Sequence, residues 1–157
     1  MADELRPQRR GRKIAMTDEE REAFLAEQRT CRVATIGTDG PHATPLWFAW
    51  DGTYFWLYSI VKSQRWTDLS KDPRIGISVD TGSDYQELRG VEITGTVEPV
   101  GEIPRTGEPD DRLAAAEAEF SRKYSGGAGV YHDGRHGWLR VTPTKIVSWD
   151  FRKLAAL

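Results

Sequence analysis

The chain is divided into short β-type runs, and that punctuation constrains its fold more than any other feature. Residues 32–37, 41–50, 53–59, 74–80, 91–100, 139–142 and 145–151 alternate apolar with polar side chains or concentrate aromatics. Asp39-Gly40 and Asp51-Gly52 stand between consecutive runs, and Asp-Gly is a strong hairpin signal because both residues tolerate the positive φ of a tight turn. In the fifth run Val91, Ile93 and Val97 keep one face apolar, while Gly95 predicts a bulge or a close backbone approach. Seven short strands, most joined by tight turns and few interrupted by helices, predict a mainly β fold. The expected form is a closed or partly closed antiparallel barrel, not a doubly wound sheet.

Three helices are expected around it. Thr17-Asp18-Glu19-Glu20 is a capping box, which predicts a helix to about Arg29 that buries Phe24, Leu25 and Gln28. Ser63 to Leu69 reads as a short helix, stopped by Asp72-Pro73 because proline disfavours helix in the residue before it. Asp110 to Tyr124 carries Leu113, Phe120 and Tyr124 on one stripe, with Gly126-Gly127 as its end. Residues 1–16 lack periodicity, contain Pro7 and Gly11, and crowd Arg6, Arg9, Arg10, Arg12 and Lys13. They read as a mobile basic arm ahead of a single domain over 17–157.

The 157 residues suit one domain, and a net charge of −2 gives no global attraction to nucleic acid or anionic membrane. The longest apolar stretch, Pro45 to Trp50, is far shorter than the roughly 20 residues of a membrane helix. Cys31 is the single cysteine, so no internal disulfide is possible, and a cytoplasmic location is the expectation. No fixed base accompanies Cys31, which argues against a nucleophile. His132 and His136 are separated by Asp133-Gly134, a turn signal that breaks the helical geometry needed for chelation, so no metal is expected. Gly126 to Gly129 lacks the following Gly-Lys-Ser/Thr of a nucleotide loop.

The segment that carries chemistry is Tyr58-Ser59-Ile60-Val61-Lys62-Ser63-Gln64-Arg65-Trp66. It places hydroxyls, a lysine and an arginine where an aromatic strand ends and a helix begins. The first amides of a helix lack intrahelical acceptors and carry positive partial charge, so this junction is suited to a phosphate. The competing interpretation is an N-cap serine flanked by solvated basic residues.

Order and spacing together connect these segments to a family. Ser59, Ser63-x-Arg65, Leu69 and Asp72-Pro73-Arg74 resemble a flavin-binding segment of the pyridoxamine 5′-phosphate oxidase-like superfamily. Asp39 to Gly52 resembles the G-x-P-x-x-x-P-x-W-F-x-x-D-G strand pair of that superfamily's deazaflavin-dependent branch. Val91 to Val97, Lys123-Tyr124 and Val141 to Asp150 are similar to its central strand and closing segments.

The resemblance implies a split β-barrel of about six to seven strands, working as a homodimer with cofactor sites across the interface. It implies that Thr44, Pro45, Leu46 and Trp47 line the ring system and ribityl chain, and that Tyr58 and Ser59 meet the chain and phosphate. Lys62, Ser63, Gln64 and Arg65 would clamp the phosphate, with Trp66 close by. One departure is plain: where members often carry Arg-Lys, this sequence has Gln64-Arg65.

The implied function is F420-dependent hydride transfer to a small unsaturated or carbonyl substrate. Use of FMN in an oxidase or reductase is the alternative within enzymes, and a cofactor- or ligand-binding protein without turnover is the alternative outside them. Pyridoxamine-phosphate oxidation itself is not expected, since nothing downstream supplies a second phosphate site. The basic arm could grip the glutamate tail of F420.

Overall fold

A computed structural model describes residues 4–157. Its strands are β1 Cys31–Gly37, β2 Gly40–Leu46, β3 Phe48–Trp50, β4 Phe55–Ile60, β5 Arg74–Thr81, β6 Arg89–Val100 and β7 His136–Asp150. Its helices are α1 Asp18–Glu27, α2 Gln64–Lys71 and α3 Ala114–Ser125. The strands form one antiparallel sheet in the order β2-β1-β5-β6-β7-β4-β3.

That order contains the architecture. β2 and β3 lie at opposite edges of the sheet, yet Trp47 alone joins them. Two peptide units span at most about 7 Å. The sheet must therefore curl until its edges approach one another at Trp47, which gives the expected mainly β split barrel.

Inward-facing residues of every strand fill the interior, among them Val33, Phe48, Leu57, Ile77, Ile93 and Val141. Phe24 and Leu25 of α1 and Leu69 of α2 close it. A second cluster lies on the outer face of β4 and β7, where Trp56 and Trp138 pack beneath Leu113, Ala116 and Phe120 at and within α3. No helix among the described residues is long and apolar enough to cross a membrane.

Several local expectations are met with detail. The Thr17 hydroxyl accepts from the Glu20 amide at 3.1 Å, and Glu20 Oε1 accepts from the Thr17 amide at 2.9 Å. Gly95 sits at a register shift between β6 and β7, where a Cβ would stand 2.2 Å from the Thr142 carbonyl oxygen. Gly126 ends α3 with a left-handed φ of 62°.

Two strand boundaries differ. The run 41–50 breaks into β2 and β3 at Trp47, because the chain there leaves one sheet edge for the other. The runs 139–142 and 145–151 are one strand, β7, which passes through Pro143. That proline pairs with Gly95 at the irregular step of the ladder, where its missing N–H is tolerated. α3 also starts later than expected, since Asp110 accepts from the Arg112 amide and guanidinium in a turn before it.

β4 covers β7 only as far as Val141, leaving the far half of that β7 edge open. The N-terminal segment lies there. The Arg6 amide donates to Thr144 O at 2.9 Å, and the Gln8 side chain exchanges hydrogen bonds with both backbone groups of Ser148. The Met16 amide donates to the Ser148 hydroxyl at 2.9 Å. A sequence without periodicity thus docks its backbone and one amide side chain on an unpaired strand edge, while Arg9, Arg10, Arg12 and Lys13 remain exposed.

Candidate functional site

At the junction of β4 and α2, Ser63 caps the helix, its hydroxyl accepting from the Trp66 amide at 3.2 Å. The amides of Gln64 and Arg65 meet no acceptor among the described residues. Arg65 turns back across the junction. Its Nη1 donates to the buried Ser59 hydroxyl at 3.1 Å and its Nη2 to the Thr44 hydroxyl at 2.7 Å. Its Nε is buried without a partner. Burial lowers the guanidinium's affinity for its proton, although a guanidinium stays charged throughout the usual pH range. A cleft of about 440 Å³ opens here, between Thr35, Pro41, His42, Ala43 and Thr44 on one side and Gln64 and Arg65 on the other.

A second network adjoins the first. The Asp68 carboxylate is buried and accepts from Gln64 Nε2 at 2.7 Å, Thr35 Oγ1 at 2.8 Å and His42 Nδ1 at 2.7 Å. These bonds, Gln64's above all and then Thr35's, outweigh desolvation and hold the carboxyl below its usual range. Gln64 therefore bonds along its own helix at i,i+4, its side-chain amide nitrogen directed to a carboxylate.

The expected site residues divide between places. Thr44, Ser59, Ser63, Gln64 and Arg65 come together around the cleft. Pro45 is exposed on β2, and Leu46 packs partly into the core. Trp47 stacks on Tyr124, with centroids 4.2 Å apart and planes 5° from parallel. Lys62 is exposed in the turn and makes no ion pair among the described residues.

Tyr58 is not at the cleft. Neighbouring strand residues point to opposite faces, so with Ser59 facing inward Tyr58 packs outward on Phe120, His136 and Trp138. Its hydroxyl donates to Tyr131 O at 3.1 Å. Trp66 packs over Gly137, where a Cβ would come within 2.9 Å of its ring.

Cys31 is fully buried, and burial pushes its thiol up to about 12, so it stays protonated and inert. His136 is held by Asp133 at 2.7 Å, and Gly134 between His132 and His136 has a φ of 73°, a turn conformation.

The family model described as pyridoxamine 5′-phosphate oxidase matches residues 17–150. The chain belongs to this family. A conserved hypothetical protein from Mycobacterium tuberculosis is 31% identical, with 96% of this chain and 93% of that one covered at a TM-score of 0.76. A solved F420 reductase is 23% identical over 80% of this chain and 94% of its own, at a TM-score of 0.57. A heme-binding protein from Mycobacterium smegmatis is 19% identical over 91% of this chain and 62% of its own, at a TM-score of 0.63. The last two share the fold. No curated protein matches the chain.

Within this member of the pyridoxamine 5′-phosphate oxidase family, the sequence left Thr35, His42 and Asp68 without roles. A signal for them existed. The two-residue turn Thr38-Asp39 sets Thr35 opposite His42 in the β1–β2 ladder, and the Gln64–Asp68 spacing places one helix face beside both.

Proposed function

We propose that this protein binds a phosphate-bearing flavin or deazaflavin, with F420 ahead of FMN, and uses it in hydride transfer to a small unsaturated or carbonyl substrate. The observation that carries this is Arg65. A half-buried guanidinium lies beside two free helix-start amides and two hydroxyls, at a cleft large enough for a phosphate and its chain. The donor set fits an anion with several acceptor oxygens. The bound cofactor would supply the hydride chemistry, while the protein supplies orientation and a dry site.

Arg65, the Gln64 and Arg65 amides and Thr44 would hold the phosphate. Trp47, fixed against Tyr124 and 49% exposed, offers a flat apolar face to the ring system. The likeness of Asp39–Gly52 to the deazaflavin-dependent branch favours F420, and so do the exposed Arg9, Arg10, Arg12 and Lys13, which complement a glutamate tail. FMN is the second reading, because the cleft's donors need nothing beyond a phosphate.

The protein would work as a homodimer in the cytoplasm. Ala43, Ala34, Gly76 and Thr94 align across β2, β1, β5 and β6 as a row of small residues on the outer face, beside the exposed Ile36. A second copy seated on this face would also border the cleft at Pro41 and Ala43.

Titration with F420, FMN and hemin, followed by tryptophan fluorescence and absorbance, tests the proposal. Saturable binding of F420 tighter than FMN, with hemin weak, is expected. Tight hemin binding without either flavin-type cofactor would instead make this a ligand-binding protein without this redox role.

A further inference from the structure

We propose that His42, oriented by the buried Asp68 carboxylate, is a direct ligand of the cofactor phosphate. It would stand where neither the Lys62 ammonium nor the Gln64 side chain brings a donor. This rests on the proposed function, since it assigns a further residue to the same cleft.

The geometry is built from three sides. His42 Nδ1 lies 2.7 Å from Asp68 Oδ2 and donates to that carboxylate, which leaves Nε2 for a ligand. Asp68 is itself fixed by Thr35 and Gln64, so the imidazole is held by a carboxylate that has no freedom to turn away. On a third side the ring packs over Gly37, where a Cβ would stand 2.8 Å from His42 Cε1. A side chain at position 37 would displace the ring. The side chain keeps 41% of its surface exposed, and it lines the same cleft as Arg65 and Thr44.

The charged groups facing the cleft and ring are Arg65 and Asp68, while Lys62 lies out in the turn. An anion there would meet Arg65 on one side and the imidazole on the other. With Asp68 at Nδ1 and phosphate at Nε2, each ring nitrogen would face an acceptor oxygen, so the ring would bridge carboxylate and phosphate through two N–H donors. Gln64 then has a defined task at a position where members often carry a cation: it positions Asp68 behind His42.

The test compares FMN with riboflavin, which lacks the phosphate, on the full chain carrying His42→Ala, His42→Asn or Arg65→Ala. Asparagine places an amide near Nδ1 and can keep the bond to Asp68, but it has nothing at Nε2. That variant therefore separates ligand binding from folding.

His42→Ala and His42→Asn are both expected to weaken FMN by about tenfold, as loss of a charge-assisted hydrogen bond does, with riboflavin unchanged. If folded His42→Asn binds FMN as the wild type does while Arg65→Ala loses it, His42 is no ligand and the cleft assignment survives. If neither substitution matters, or if wild type binds no phosphate-bearing cofactor, the proposed function fails and this inference with it.

Discussion

Trp47 lies flat on Tyr124, with ring centroids 4.2 Å apart, at the point where the chain leaves one edge of the sheet for the other. The Tyr124 hydroxyl completes the clamp. It accepts from the Phe48 amide at 3.1 Å and donates to Arg29 O at 2.6 Å. One residue of α3 thus ties the segment between α1 and β1 to the start of β3. Tyr124→Phe keeps the stack but leaves a buried amide and a carbonyl without this partner. It should cost about 1–3 kcal/mol of unfolding free energy, read by urea denaturation at neutral pH. No change in midpoint would show that the hydroxyl bonds are dispensable.

Gly95→Ala tests the bulge. Its Cβ would be driven to 2.2 Å from the Thr142 carbonyl oxygen, a backbone atom of the neighbouring strand that cannot swing aside. Overpacking of this kind costs about 1–3 kcal/mol, and the irregular β6–β7 ladder should open locally. Thermal unfolding together with amide exchange at Thr94 to Thr96 measures both. Unchanged stability would mean that the bulge relaxes freely.

Asp68 predicts a pH signature. Its folded carboxyl is held below the ordinary value of 3.8, first by Gln64, then by Thr35 and His42. Its stabilising contribution is therefore present above that ordinary value and lost as pH falls through the lower folded value. Asp68→Asn should be less stable than wild type at pH 7, and the difference should shrink as pH drops below about 4. Parallel curves over the whole range would remove Asp68 from the ionic network.

The dimer has its own test. Wild type should sediment at twice 17.7 kDa at micromolar concentration. Ala34→Arg puts a long charged side chain into the row of small residues, where it would face its counterpart's surface. It should give monomers that retain β-sheet circular dichroism. A wild-type monomer, or a dimer indifferent to Ala34→Arg, would place the interface elsewhere or abolish it.

Much of this was legible in the sequence, for identifiable reasons. The capping box at Thr17, the glycine within the fifth run and the cap at Ser63 are local signals, and each is set by interactions within a few residues or by one backbone constraint. The path at Trp47 was not legible: Pro41 and Pro45 suit an edge strand, but nothing in the run shows that its two halves belong to opposite sheet edges. The docking of residues 6–16 on β7 was hidden for a similar reason. It depends on where β4 stops pairing, not on any periodicity of its own.

At the site, Arg65 and Ser63 stood out by residue type, whereas Gln64 looked like a weakened phosphate ligand. Its actual partner lies four residues on, in a network whose other members come from a hairpin more than twenty residues earlier. The resemblance places Tyr58 with Ser59 on the cofactor's chain and phosphate. Strand alternation separates them, one facing the interior and one facing α3.

Arg65 carries the proposed phosphate site, so the decisive measurement is the affinity of wild type, Arg65→Ala and Arg65→Lys for F420, FMN and riboflavin. Arg65→Ala should weaken the two phosphate-bearing cofactors by roughly ten- to a hundred-fold, the equivalent of about 1.5–3 kcal/mol for a charge-assisted bond. Arg65→Lys should recover only part of this, because an ammonium cannot reach the Thr44 hydroxyl, the Ser59 hydroxyl and a phosphate with one forked group. Riboflavin should bind all three proteins equally weakly. If folded Arg65→Ala binds F420 and FMN as tightly as wild type, the start of α2 is a solvated helix cap and the phosphate site is not there.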